Sequence, residues 1–261
     1  MTPVKLISWN LNGIRACYKK GFIEFIEREE PDILAVQETK AHPERCEPPL
    51  LRPAGRVSYW SSAKKKGYSG VATFVRPGSL EPSRVEHGIG IEDYDSEGRF
   101  VVTEHEAFTL YNIYFVNGGA SADRQEFKMR FLKDLTSHLR AVVAKGKPVI
   151  VTGDYNVAHR GSDVYDPVGL AATSGFLPVE RAWFEEFLAL GFIDTFRFFH
   201  PEERDRYTWW AYYENGRIGN RGWRIDYFCV TKNLEKNLVR AEILDGQMGS
   251  DHCPVALDLA F

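Results

Sequence analysis

Val4-Lys5-Leu6-Ile7-Ser8-Trp9-Asn10 is a short, largely apolar run that stops on an asparagine. The pattern returns as Asp32-Ile33-Leu34-Ala35-Val36-Gln37-Glu38, over residues 108–117, and as Pro148-Val149-Ile150-Val151-Thr152-Gly153-Asp154. Ile225-Asp226-Tyr227-Phe228-Cys229-Val230 is a related variant. Runs of this length, rich in β-branched residues, read as buried strands. Their polar ends are then expected along one sheet edge, where ligands bind in open α/β sheets. Helical patterns lie between the runs. Residues 21–30 put Phe22, Phe25 and Ile26 on one face, and residues 122–144 repeat Phe127, Phe131, Leu135, Leu139 and Val142 at helical spacing. Residues 177–190 open with Pro178 and align Trp183, Phe187 and Leu188. These stripes are core and carry no function. Turn-punctuated strand pairs, at residues 68–76 and 100–116, point to mixed sheets. The expected class is α/β: two mixed β-sheets packed face to face and flanked by helices, in a single domain over residues 1–261.

Composition sets outer bounds. Hydrophobic residues make up 44% of the 261 and charged residues 26%, which excludes a disordered or fibrous class. No apolar run approaches the roughly 20 residues of a membrane helix. Met1-Thr2-Pro3-Val4-Lys5 lacks the charged head and apolar core of a signal peptide. Cys17, Cys46, Cys229 and Cys253 form no CxxC pair, so they read as reduced structural thiols of a cytoplasmic protein rather than zinc ligands or a redox dithiol. Net charge is −3, so the chain is not globally basic, and any surface for a polyanion must be a local patch.

The ends of the apolar runs carry the chemistry. Asn10 and Asn12 follow the first run, Glu38 ends the second, Asp154 and Asn156 close the fourth, and Asp251-His252 sits in Gly249-Ser250-Asp251-His252-Cys253-Pro254. Each fragment alone would serve as a plain turn, cap or surface charge. Three carboxylates, several amides and one histidine together form a hard-oxygen set that suits Mg2+, with Mn2+ as a substitute. One histidine is too few for a zinc site. The set also supplies what phosphodiester hydrolysis needs: a metal to neutralise the phosphate, a base for water, and a cation or acid at the transferring oxygens.

Six motifs in order carry a resemblance. They are Trp9-Asn10-Leu11-Asn12-Gly13-Ile14-Arg15, Val36-Gln37-Glu38-Thr39-Lys40, Lys66-Gly67-Tyr68-Ser69-Gly70-Val71, Gly153-Asp154-Tyr155-Asn156-Val157-Ala158-His159, Gly222-Trp223-Arg224-Ile225-Asp226-Tyr227 and the segment around Asp251-His252. The chain resembles the exonuclease III / abasic-site endonuclease family from residue 5 almost to the C-terminus. The resemblance implies a four-layer α/β sandwich that cleaves DNA 5′ to abasic sites and trims and cleans 3′ ends. It implies Glu38 as principal metal ligand, with Asn10, Asp154, Asn156 and Asp251 lining the same site. Asp154 orients or deprotonates the attacking water, and Asn156 helps hold it. His252 binds the scissile phosphate, with Asp226 fixing its tautomer. Tyr114 lies near the leaving oxygen or phosphate, and Asn117 supports DNA contacts. Trp209, Trp223 and Ile225 form a pocket for a flipped abasic sugar. The implied partner is double-stranded DNA with abasic sites or 3′ ends, met by a monomer in the cytoplasm, nucleoid-associated in a prokaryote.

The residues also favour DNA over a small ester. Residues 206–224 hold Arg206, Arg217, Arg221 and Arg224 against one Glu214, interleaved with Tyr207, Trp209, Trp210, Tyr212, Tyr213 and Trp223. That mixture suits a strand backbone with an exposed base or sugar, although Trp210 and Tyr212 read better as core. Lys66 and Tyr68, after Lys64-Lys65, and Arg124 at the head of a helix are candidate substrate contacts. Arg99 reads equally as a structural ion pair. Val168-Gly169-Leu170-Ala171-Ala172-Thr173 is nearly apolar where relatives carry Lys and Asn, and Gly118-Gly119-Ala120-Ser121 brings no basic residue. A phosphatase or lipid phosphodiesterase of the wider superfamily would keep Glu38, Asp154, Asn156 and His252 without the tryptophan segment. An inactive DNA-binding module would have lost a catalytic residue, and none is missing.

Overall fold

Strands with both faces buried decide the architecture. The computed structural model describes residues 3–78, 80–212 and 215–261. One sheet holds β1 (Val4–Asn10), β2 (Ile33–Gln37), β3 (Val57–Ser61), β4 (Val71–Val75), β13 (Leu238–Ile243) and β14 (Val255–Leu259), in the order β13-β14-β1-β2-β4-β3. The other holds β5 (Arg84–Glu86), β6 (Phe100–Glu104), β7 (Thr109–Tyr114), β8 (Val149–Asp154), β9 (Phe192–Asp194) and β12 (Asp226–Thr231), in the order β5-β6-β7-β8-β12-β9. β1 runs parallel to β2 and β7 to β8, while β1–β14 and β8–β12 are antiparallel, so both sheets are mixed. β10 (Trp209–Trp210) and β11 (Gly222–Trp223) form a short separate ribbon. Residues 68–76 contribute one strand, β4, which pairs with β3, in place of the expected strand pair.

Alternation along each strand sorts the side chains into three apolar layers. Leu6, Ile33, Val75 and Leu257 of the first sheet meet Leu110, Ile150, Phe228 and Val230 of the second. Their neighbours Ile7, Trp9, Leu34 and Val36 point the other way, onto Phe22, Phe25 and Ile26 of the helix Phe22–Glu29. Ile113, Val149, Val151 and Cys229 point outward from the second sheet, onto Phe131 and Leu135 of helix Ala122–Val143 and Phe184 and Phe187 of helix Pro178–Ala189. Helix, sheet, sheet and helix therefore stack in four layers, and each buried aliphatic side chain contributes about 1.5–3 kcal/mol.

The space between the sheets becomes polar toward one end. On successive inward positions, Leu6 gives way to Ser8 and Asn10, Ile150 to Thr152 and Asp154, Leu110 to Asn112 and Tyr114, and Val230 to Phe228 and Asp226. At mid-level Gln37 Nε2 donates to Ser8 Oγ at 3.0 Å and across to Asn112 Oδ1 at 2.8 Å. The polar strand ends thus do not line one sheet edge, as expected from their sequence positions. Two sheets deliver them, face to face, to one mouth.

Arg224 departs from its sequence reading as a cation facing DNA. It is 1% exposed and sits between Asp163 (Nε to Oδ1, 2.8 Å) and Asp194 (Nη2 to Oδ2, 2.8 Å). Arg197 pairs with Asp163 as well. Burial opposes ionisation of Asp163, but the Arg224 and Arg197 guanidinium groups hold its carboxyl down at about 2. A depressed carboxyl contributes stability that is complete above its unfolded value and is lost as pH falls through the folded value. Asp163→Asn should therefore cost about 3–5 kcal/mol at neutral pH, since it leaves Arg224 with one partner fewer in the core. Urea midpoints should converge between wild type and variant as pH drops from about 5 toward 2. A pH-independent gap would remove Asp163 from the account. No helix among the described residues is long and apolar enough to cross a membrane, and all four cysteines are free thiols.

Candidate functional site

Tyr114, Asp154 and Asp226 are direct cross-strand partners on β7, β8 and β12, so they form a row on the inward face of the second sheet. Gly153 permits the close approach, because a Cβ there would lie 1.9 Å from Ile113 O. The first sheet supplies Asn10 at the end of β1 and Glu38 just past β2. Asn10 Nδ2 bridges the two sheets, donating to Glu38 Oε1 at 2.9 Å and to Asp154 Oδ2 at 2.8 Å. One ligand atom from each of Glu38, Asp154 and His252 lies within 4.8 Å of the others. Asn12, Glu38, Lys40 and Asn156 all have φ between 46° and 52°, so the loops at this mouth hold left-handed backbone that non-glycine residues rarely adopt.

Asn10 and Asn156 turn their amide nitrogens, not their oxygens, toward the carboxylates. Asn10 Oδ1 accepts from Asn12 N at 2.9 Å, and Asn156 Oδ1 accepts from Asn117 Nδ2 at 3.0 Å. Asn156 N donates to Asp154 Oδ1 at 2.8 Å. Asp251 lines the same pocket. Its oxygens accept from Asn12 Nδ2 at 3.0 Å and Trp209 Nε1 at 3.1 Å. His252 Nδ1 lies 2.8 Å from Asp226 Oδ2, which leaves Nε2 facing the site, 3.9 Å from Asp154 Oδ2. Thr208 Oγ1 holds Asp226 by its backbone N–H at 3.1 Å.

Burial, with the charges of Asp226 and Glu38, pushes the Asp154 carboxyl up to about 7, against the pull of His252. Burial works against the His252 imidazolium, yet the bonded Asp226 and nearby Asp154 and Asp251 raise it to about 10. The pair titrates as a unit that retains a proton at neutral pH. Burial and the charges of Glu38 and Asp154 push the Tyr114 phenol well above its usual range, so it remains a proton donor.

An apolar recess adjoins this polar centre. Trp223 and Ile225 are buried with Ala158, Val164 and Phe176, and Trp209 and Leu170 pack against them. Trp209 and Trp223 meet edge to face at 6.3 Å. The continuous pocket, about 360 Å³, runs from Glu38, Asp154 and His252 to Trp209, Trp223 and Ile225, with Asn117 and Arg221 on its wall. The near-apolar loop after Asp166 contributes Leu170 and Thr173 to that wall, while Val168 is largely in solvent.

Other expected contacts divide. Lys66 is exposed, and Lys65 sits over the Tyr68 ring. Tyr68 Oη accepts from Arg124 Nη2 at 2.6 Å and Arg99 Nη2 at 3.0 Å. Glu97 pairs with both arginines, so Arg99 is a buried ion pair and Arg124 is largely committed to protein partners. Arg206 pairs with Glu203 and Asp245, and Arg217 lies 4.6 Å over the Trp210 ring. Trp210 is buried as expected, but Tyr212, two residues past it and outside the ribbon, is 59% exposed. Tyr213 and Glu214 lie outside the described residues. Lys40 is a residue that sequence reasoning passed over. Its place in Val36-Gln37-Glu38-Thr39-Lys40 suggests no role by itself, yet its Nζ lies 2.8 Å from Glu38 Oε2 and also reaches Asn12 Oδ1.

Residues 7–252 match the Endonuclease/Exonuclease/phosphatase family. An exodeoxyribonuclease of Bacillus subtilis is 40% identical across 97% of this chain and 98% of its own length. The DNA repair nuclease APEX1 of Danio rerio is 38% identical across 98% of this chain and 82% of its own. Among solved structures, the AP endonuclease LMAP from Leishmania major superposes with a TM-score of 0.89 at 28% identity, covering 100% of this chain and 88% of that one.

Proposed function

We propose that this chain, which belongs to the endonuclease/exonuclease/phosphatase family, is a DNA repair nuclease that hydrolyses phosphodiesters 5′ to abasic sites and trims and cleans 3′ ends. The observation that carries this reading is a single pocket in which Glu38, Asp154 and His252 adjoin an apolar recess walled by Trp209, Trp223 and Ile225. The first half suits a phosphodiester, and the second suits a sugar that has lost its base.

Glu38 and Asp154 would hold a divalent cation, with Asn10 bridging the two carboxylates. Two hard carboxylates, with no thiolate and one histidine already bonded to Asp226, fit Mg2+ or Mn2+ better than zinc. Bound there, the cation neutralises charge on the phosphate. The chain's own residues do the rest. Asp154, buried and held by Asn156 N, takes a proton from the attacking water. The water oxygen bonds to phosphorus as the P–O3′ bond breaks. His252 presents Nε2–H to the phosphate while Asp226 fixes its tautomer. Tyr114, whose phenol holds its proton beside Asp154, donates it to the leaving O3′ to give the 3′-hydroxyl and regains a proton from solvent. Tyr68, Tyr114, Asn117 and Arg124 line a neighbouring cleft where the backbone would pass, and the exposed Lys66 is a further candidate contact. The enzyme acts as a monomer in the cytoplasm.

A phosphatase for small esters would have no use for the tryptophan recess, and an inactive binding module would not retain every group in the row. Trp209→Ala separates these roles. Cleavage of abasic and intact duplexes by wild type and variant should show the abasic preference falling about tenfold, while the metal requirement is kept. An unchanged abasic-to-intact ratio would make Trp209 a structural residue and defeat the pocket assignment.

A further inference from the structure

Helix Ala122–Val143 carries a lysine with no exposed surface. Lys128 Nζ lies 2.5 Å from Glu180 Oε1 and donates to the backbone oxygen of Asn156 at 2.7 Å. Glu180 is also fully buried, and its Oε2 accepts the backbone N–H groups of Gly175 at 2.7 Å and Leu177 at 2.9 Å. Gln125 Nε2 supports Glu180 Oε1 at 3.0 Å, and Ser174 Oγ donates to Gln125 Oε1 at 2.7 Å.

Packing a helix on a sheet does not call for such a pair. Apolar side chains of the same volume fill a core without the cost of desolvating two charges. The pair's contacts explain it better. At one end is Asn156, held at φ +52°, whose Nδ2 lies 3.3 Å from Asp154 Oδ2. At the other is the segment 173–177, part of which lines the pocket. Gly175 O accepts from Ala158 N at 2.7 Å, and a Cβ on Gly175 would come within 3.2 Å of both Asn156 O and the Trp223 ring. The ammonium therefore grips the left-handed turn beside Asp154, and the carboxylate grips the wall against Trp223.

We propose that Lys128 and Glu180 are positioning residues that lock the Asn156 turn and the 173–177 wall together, aligning the polar centre with the apolar recess. This rests on the nuclease reading of the site. Lys128 acts on the chemical step through Asn156, and Glu180 acts on substrate binding through the wall.

The test uses the neutral pair Lys128→Met/Glu180→Gln, which keeps volume and an acceptor for Gly175 N but removes the grip on Asn156 O. We expect a Tm near wild type and a kcat on an abasic duplex about 10- to 100-fold lower. A kcat within twofold of wild type would reduce the pair to core filling and overturn the proposal. Gln125→Ala, at a half-buried position, leaves both charges in place. It should raise KM several-fold with kcat kept, and an unchanged KM would overturn the link to the wall. Deuterium exchange over residues 155–158 and 173–177 reports on the lock without any turnover. Both segments should exchange faster in the neutral pair, and unchanged exchange overturns the lock. Wild type that fails to cleave the abasic duplex would sink the nuclease reading, and the exchange result would then decide the lock alone.

Discussion

Glu38→Ala is expected to lower magnesium-supported cleavage of an abasic duplex by on the order of 10³-fold, with thermal stability close to wild type. Glu38 is the carboxylate of the first sheet at the mouth, and Asn10 and Lys40 already fix both of its oxygens. Removing it takes away an anionic donor that faces Asp154 across the intersheet space. It also leaves the Lys40 ammonium without its carboxylate partner, while Asp154 loses a neighbouring like charge. Stability should survive because the side chain is at a strand end rather than within an apolar layer. Single-turnover rates at saturating magnesium, with a melting curve of the same preparation, check both parts. A rate within tenfold of wild type would remove Glu38 from the metal site. A collapse in Tm would instead make its role structural.

His252→Asn is expected to slow cleavage by about 10²- to 10⁴-fold, and Asp226→Asn by about 10- to 100-fold. The imidazole Nε2 faces the centre directly, while Asp226 acts through Nδ1 at 2.8 Å. An asparagine at position 226 can present Nδ2 to the ring and so reverse the preferred tautomer. The double variant should be no slower than His252→Asn alone, because two groups that act as one unit do not add. Additive losses would show that Asp226, one of whose carboxylate oxygens is buried without a hydrogen-bond partner, has a separate task.

Much of this was legible in the sequence, for physical reasons. A strand buried on both faces needs an unbroken apolar run, so residues 4–10, 33–37 and 149–154 announced themselves, and the acids at their ends stood out against them. The distribution of those ends over two sheets was not legible. A period of two tells which residues share a face but not which sheet the strand joins. Arg224, one of the four cations of residues 206–224, was misread for a similar reason. Arg224 is neutralised by Asp163 and Asp194, 61 and 30 positions away, and composition within a window cannot reveal distant partners. Tyr212 was expected in the core because aromatics usually are, but it lies past the end of the Trp209–Trp210 strand and is exposed to solvent. Lys128 lay within a helical stripe of apolar residues, where a lysine reads as a solvated flank. Only the placement of Glu180, 52 positions on, shows that it points inward.

The most direct test is the chemistry of the cut made by the wild-type protein. A duplex with one abasic site, labelled on either side, should be cleaved with magnesium and left intact with excess EDTA. The account predicts a 3′-hydroxyl on the upstream fragment and a 5′-phosphate on the abasic sugar, the products of water attacking phosphorus. Cleavage that persists in EDTA, or an upstream fragment ending in an unsaturated sugar aldehyde, would mean elimination at the sugar and would contradict a hydrolytic centre built on Glu38, Asp154 and His252.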